Sequence, residues 1–253
     1  MQVFVPSSYD PATPLPLVIL IHSYTITGAI AEFGFLLRPV AEERGFLYAI
    51  PEGTKNSAGA PFWNATSGCC DFDHSNIDDS GYLRSVIEDI QARWNVDAKR
   101  IFTIGLSNGG FMGHRLACDH PDLIAGIASF AGAIEIDPSL CHPSQGVHIL
   151  DAHGTLDDVI RFDGGTFTGP YPGARETVQR WVELNGCTSS QPGGMLDVDA
   201  RVAGAETKVT RYTGCKPGGS VESWEMVGSG HYLFTTDEFR RAIADYFFSH
   251  PKP

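Results

Sequence analysis

The sequence predicts a single-domain α/β fold, a mostly parallel central sheet with helices on both faces. Three observations point there. Apolar, β-branched runs of strand length alternate with segments of helical spacing. The inner runs are apolar almost throughout, as strands covered on both faces are. No linker or internal repeat divides the 253 residues, a length that suits one large domain.

"QVFV" (2–5) and "LVILIH" (17–22) read as strands. A helix is expected within 29–44, where Phe33, Leu36, Leu37, Val40 and Ala41 share a face and Gly45 ends it. "FLYAIPE" (46–52) is the next strand. Residues 53–81 read as a loop of a length that is uncommon unless functional. Leu83, Val86, Ile87, Ile90 and Trp94 give an amphipathic helix over 80–95. "RIFTIG" is a strand and 108–119 a helix. "IAGIASFAG" and "VHILDAHG" are two more buried strands. Val178, Trp181 and Val182 mark a helix in 174–185. "KVTRYTG" and "VESWEMVG" are late strands. The last helix spans 236–248, with Thr235 and Glu238 as its capping box.

Hydrophobic residues make up 42% of the chain, enough for a sizeable core, which excludes a disordered chain. No run reaches the ~18 apolar residues of a membrane helix. A net charge of -12 disfavours nucleic acid, which needs a basic footprint. The six cysteines lack zinc spacing and contain no CxxC. They are read as disulfides of an exported protein whose signal segment is absent from this chain. Cys187 with Cys215 is the first expected pair and Cys118 with Cys141 the second. Cys69 and Cys70 are left without assigned partners.

"IFTIGLSNGGFMGHRLAC" (101–118) sets a serine between glycines where a strand meets a helix. Gly105 and Gly109 lie two before and two after Ser107, where a tight turn would reject larger side chains. A hydroxyl is a poor nucleophile until a base takes its proton, and imidazole does this near neutral pH. The base needs a carboxylate to fix its tautomer. His231 follows one late strand and Asp157 and Asp158 another, in the chain order serine, acid, histidine. Asp157 is preferred as the acid, with His153 in support. An oxyanion needs donors, expected from the N–H of Asn108 and of Tyr24, with Ser23 and Thr25 as lesser candidates. His22 is read as ordering that loop, and His114, His120, His142 and His148 as surface or helix-face residues.

With these residues the chain resembles α/β-hydrolases of the polyhydroxybutyrate depolymerase-like and feruloyl esterase-like group, related to carbohydrate esterase family 1. "FWNATSGCCDFDHSNIDDSGYLRSVIEDI", "NVDAKRIFTIGLSNGGFMGHRLACDHPDLIAGIASFAG", "HGTLDD", "WVELNGC", "YTGC" and "GSGH" carry the resemblance, which covers most of the chain from about residue 12. It implies secreted serine esterases acting on acyl esters, with no metal. The sequence itself shows no long apolar helical insert that would suggest a large lid. The nucleophile falls on Ser107, the acid on Asp157 and the base on His231. Two departures stand out. His22-Ser23 replaces the usual His-Gly, and Tyr232-Leu233 the usual Thr-Trp.

The function expected is a secreted serine carboxylester hydrolase on polymeric polyester. Feruloyl or acetyl esters on plant polysaccharide are the alternative within the class. A non-catalytic binding protein and a serine peptidase are alternatives outside it. Trp63, Phe62 and Tyr232 are expected to line the substrate site, with Tyr24 a further candidate. The partner is an ester, a polymer surface included, with no nucleic acid, no membrane and a monomeric chain. No cofactor and no metal is expected. Asn64-Ala65-Thr66 matches a glycosylation sequon.

Overall fold

The computed structural model describes residues 1–253. In chain order the elements are β1 (Gln2–Phe4), β2 (Leu15–Ile21), α1 (Gly28–Phe35), α2 (Arg38–Arg44) and β3 (Leu47–Ile50). A small hairpin of β4 (Thr54–Lys55) and β5 (Pro61–Phe62) precedes α3 (Asp79–Arg93), β6 (Val96–Leu106), α4 (Asn108–Asp119), β7 (Gly126–Phe130) and β8 (His148–Gly154). A second hairpin, β9 (Gly165–Thr166) and β10 (Pro170–Tyr171), leads to α5 (Ala174–Leu184). The chain closes with β11 (Ser189–Leu196), β12 (Thr207–Thr213), β13 (Ser220–Met226) and α6 (Asp237–Ser249).

Nine strands form one sheet in the order β1-β3-β2-β6-β7-β8-β13-β12-β11. The six from β3 to β13 run parallel. β1 at one edge and β12 and β11 at the other are antiparallel additions. Side chains alternate across the sheet. Leu17, Ile19 and Ile21 join a core under α3, α4 and α5. Val18 and Leu20 face the opposite core, with α1, α2 and α6. The expected α/β-hydrolase architecture, helices on both faces, is therefore present. No helix is long and apolar enough to cross a membrane.

The helix expected over 29–44 is two helices. Leu36 takes a left-handed φ of 51° as the C-cap of α1, and Pro39 sits at the start of α2. Glu32 then accepts from the Arg38 N–H at 2.9 Å. The break turns Phe33, 79% exposed, and Leu36, 41% exposed, away from the core they were expected to join. At α6 the cap is Thr236, whose hydroxyl accepts from the Phe239 N–H. Thr235 instead donates to the Gly34 carbonyl, so the expected capping box does not form. His148 is buried rather than superficial, and His114 lies on α4 as expected but on its buried face.

All six cysteines are paired. Cys118 joins Cys141 and Cys187 joins Cys215, as expected, and Cys69 joins its neighbour Cys70. The first two close loops with sequence separations of 23 and 28 residues. Restricting loops of that size in the unfolded chain is worth about 3 kcal/mol each. Replacing Cys187 and Cys215 together by serine should lower the unfolding free energy by about 3 kcal/mol in a urea titration, with the native circular dichroism kept below the transition.

Candidate active site

The parallel strands end at one edge, where such sheets place their ligands. A run of backbone bonds aligns four of these ends. Ser107 N–H donates to Phe130 O at 2.7 Å, Ala131 N–H to Ala152 O at 2.8 Å, and Thr155 N–H to Met226 O at 3.0 Å. The residues that follow β6, β8 and β13 are thereby brought to one rim.

Ser107 stands between β6 and α4 with φ 58° and ψ -122°. This strained left-handed region is sparsely populated by residues with a Cβ and recurs at functional sites. The turn is tight enough to exclude side chains around it. A Cβ on Gly109 would lie 2.0 Å from Ile21 O, and one on Gly105 2.6 Å from the Gly109 carbonyl carbon. Gly110 is held the same way, with Ser129 Oγ 2.8 Å from its would-be Cβ. The glycines flanking the serine thus let α4 start directly against the end of β2.

Asp157 follows β8 and His231 follows β13. His231 Nδ1 donates to Asp157 Oδ2 at 2.8 Å. The other carboxylate oxygen accepts the Val159 and Ile160 N–H groups, each at 2.9 Å. Burial pushes the Asp157 pKa up, but the neighbouring His153 and the hydrogen bond from His231 outweigh it and hold the pKa at about 2. His153 lies 3.5 Å from Asp157 Oδ2 and donates at 2.7 Å to Ile160 O. Burial works against a charge on His153, yet Asp157 and Asp151 keep its pKa above the ordinary value. Asp158 is exposed. With Nδ1 committed to the carboxylate, Nε2 of a neutral His231 carries the lone pair a general base needs. Ser107 and His231 each keep 7% of their surface exposed.

The loop after β2 is fixed at several points. His22 Nδ1 donates to Ser23 O at 2.9 Å, and His22 Nε2 accepts the Gly53 N–H at 2.9 Å. That pattern sets a neutral tautomer, and burial pushes the His22 pKa down. Thr25 N–H is spent on Pro61 O at 2.9 Å, which removes it as an oxyanion donor. The N–H groups of Ser23, Tyr24 and Asn108 enter no such bond.

Trp63 and Phe62, expected to line the substrate site, are instead packed inside the protein. Trp63 is fully buried and Phe62 is 1% exposed. The Trp63 indole donates to His22 O at 3.0 Å. The Asn108 side chain brackets the Trp63 backbone, accepting its N–H at 2.8 Å and donating to its carbonyl at 2.9 Å. This pair therefore supports both sides of the site from behind. Tyr232 is 65% exposed beside His231 and free to meet a ligand. Two aromatics outside the sequence-predicted set, Phe72 and Phe167, gather beside Tyr24. Their rings lie 5.5 Å apart, and Phe72 lies 5.3 Å from Tyr24. Neither sits in a pattern that marks a site, since separate loops bring them together.

A second His–Asp pair lies deeper. His114 Nε2 donates to Asp151 Oδ1 at 3.1 Å, and the Trp181 indole donates to His114 Nδ1 at 2.9 Å. Both members of the pair are buried, and it ties α4, β8 and α5 together. A polar cleft of about 580 Å³ lies along the C-terminal half of α4, near Arg115, Cys118 and Asp119. It contains none of Ser107, Asp157 and His231. The sequon residue Asn64 is turned inward, its Nδ2 donating to Ile77 O at 2.9 Å.

A serine in a strained strand-to-helix turn, a His–Asp pair at the same rim of the sheet and two groups of unspent N–H donors match the layout of an α/β-hydrolase-type site. Residues 8–184 match the phospholipase/carboxylesterase family, and the chain belongs to that family. It is 29% identical over 239 residues to feruloyl esterase B of Piromyces equi, covering 89% of this chain and 41% of that protein. It is 25% identical over 170 residues to poly(3-hydroxyalkanoate) depolymerase C of Paucimonas lemoignei, covering 59% of this chain and 39% of the relative. The chain thus spans less than half the length of these two proteins. An acetyl xylan esterase from Aspergillus awamori superposes with a TM-score of 0.70 at 17% identity, over 97% of this chain and 92% of that one.

Two outcomes follow. Gly109→Ala drives a Cβ into the Ile21 carbonyl and should cost more than about 3 kcal/mol in chemical denaturation. The second concerns acid. Asp157 has a folded pKa of about 2 against an ordinary 3.8. A depressed folded value stabilises the protein above the unfolded pKa, and this stabilisation is lost as pH falls through the folded one. Between about pH 4 and pH 2 the wild type should therefore lose more stability than Asp157→Asn does, as read by denaturation midpoints at each pH.

Proposed function

We propose that this protein is an exported serine carboxylester hydrolase. Ser107 is the nucleophile, His231 the general base and Asp157 the group that orients it. The observation that carries this reading is the 2.8 Å His231–Asp157 bond at the strand edge that also bears Ser107. Ser107 Oγ attacks the ester carbonyl while His231 Nε2 takes its proton. Asp157 stabilises the imidazolium through Nδ1. The N–H groups of Tyr24 and Asn108 hold the oxyanion. As the tetrahedral intermediate collapses, the C–O bond to the alcohol breaks and His231 protonates the leaving oxygen. A water, deprotonated by His231, then attacks the acyl-enzyme; as the second tetrahedral intermediate collapses the bond from the acyl carbon to Ser107 Oγ breaks, His231 returns the proton to Oγ and the acid leaves. No metal or cofactor is needed at any step.

The preferred substrate is an ester within a polyester chain. Supporting this, the segments bearing the proposed catalytic residues also carry exposed apolar side chains. Leu156 is 68% exposed, Tyr232 65% and Phe234 56%. An apolar rim suits an apolar polymer surface. A second reading is a feruloyl or acetyl ester on plant polysaccharide. The row of Tyr24, Phe72 and Phe167 favours it, since a planar aryl group can stack there. The match to feruloyl esterase B over 89% of the chain points the same way. The three paired disulfides support an oxidising, extracellular setting. A non-catalytic binding protein would not require Ser107 to sit in a strained turn.

Wild type should cleave members of a panel of para-nitrophenyl esters, methyl ferulate, a hydroxybutyrate oligomer and an aromatic polyester film. Ser107→Ala should lose about 10⁴-fold or more in kcat, and Asp157→Asn about 10⁴-fold, with folding intact. Preference for the oligomer and film supports the polyester reading, and preference for methyl ferulate the second. An active Ser107→Ala variant would sink the mechanism.

A further inference from the structure

The donor loop and the nucleophile turn belong to different parts of the chain, and one hydrogen bond joins them directly. Ser23 Oγ donates to the carbonyl of Leu106 at 2.7 Å. Leu106 is the residue whose carbonyl carbon is bonded to the Ser107 nitrogen. The other ties of this loop run elsewhere. His22 Nε2 receives Gly53, the His22 carbonyl receives the Trp63 indole, and the Thr25 N–H goes to Pro61. All three partners lie in the 53–63 segment. The loop also holds Thr25 at φ 68°, a left-handed conformation that must be maintained by its neighbours.

We infer that Ser23 is a positioning residue that sets the two proposed oxyanion donors in register. Tyr24 N–H belongs to the next residue after Ser23, and Asn108 lies two residues beyond Leu106. The Ser23–Leu106 bond therefore links the two donor-bearing segments and limits how far they can drift apart. Donors act when they lie about 2.7–3.1 Å from where the oxyanion forms. A shift of about 1 Å can cost about 10²-fold in rate. A glycine at this position would have no hydroxyl and could not make the tie. The serine at this place thus adds a constraint on the site and leaves the N–H of residue 24 free for the oxyanion.

The inference rests on the esterase reading of Ser107, and the test separates the two. Wild type, Ser107→Ala, Ser23→Ala and Ser23→Gly are assayed as full chains on para-nitrophenyl acetate for kcat and KM. The thermal unfolding midpoint of each is measured alongside. Both Ser23 variants should lose about tenfold or more in kcat with KM within about twofold. That split marks an interaction used in the transition state alone. Their unfolding midpoints should stay near that of wild type. Full kcat in Ser23→Ala overturns the inference. So does full kcat in Ser23→Gly alone, which would make the defect of the alanine steric. A loss of kcat matched by a lowered midpoint, or a rise in KM alone, assigns Ser23 a structural or binding role and overturns it too. If wild type cleaves no ester, or Ser107→Ala is as active as wild type, the esterase reading itself fails and takes the inference with it.

Discussion

The organising constraint is the contact between the first turn of α4 and the end of β2. Ile21 O would stand 2.0 Å from a Cβ at position 109. Backbone meets backbone there with no space for a side chain. The close approach lets β6 turn into α4 within a single residue, and that residue is Ser107. Its left-handed backbone costs about 1–3 kcal/mol, which packing on both sides of the sheet offsets. Phe111, Met112 and Leu116 of α4 are fully or almost fully buried. The strain is local, and the clamp that holds it is the whole α4–sheet interface.

The same contact explains why support for the site comes from behind. Asn108, at the start of α4, grips the Trp63 backbone, and Trp63 grips His22. The long loop between β3 and α3 is thereby fastened to both the Ser107 turn and the loop after β2. Trp63, with no exposed surface, takes part in this fastening. On the acid side, Asp157 takes two backbone N–H groups as well as His231. A carboxylate held by that many donors stays ionised and keeps one orientation. His231 inherits its tautomer from it.

Much of this was legible in the sequence. The strand and helix periods reported the buried faces directly, and glycines on both sides of a serine reported a turn without room for a Cβ. The chain order of Ser107, Asp157 and His231 placed all three on one rim once the strands were taken as parallel. What escaped depended on tertiary context. The apolar spacing of 29–44 fits one helix, but Leu36 and Pro39 divide it in two. Trp63 sits in a loop, and only the fold reveals that the loop folds inward there. β11 escaped because "SSQPGGML" has neither alternation nor β-branched content. It is recruited by pairing to β12, not by its own propensity. Tyr24, Phe72 and Phe167 meet only because three loops converge.

β11 has a consequence for how the molecule behaves in company. An outer strand offers unpaired backbone groups to any other chain. β11 carries Pro192 and two glycines, and its register slips between Pro192 and Gly194. Proline lacks the N–H that a further strand would need, and a bulge bends the ribbon away from a flat neighbour. At the opposite margin β1 is only three residues long. Both margins of the nine-stranded sheet are therefore poor templates, and molecules crowded together can stay separate without adding strands to one another.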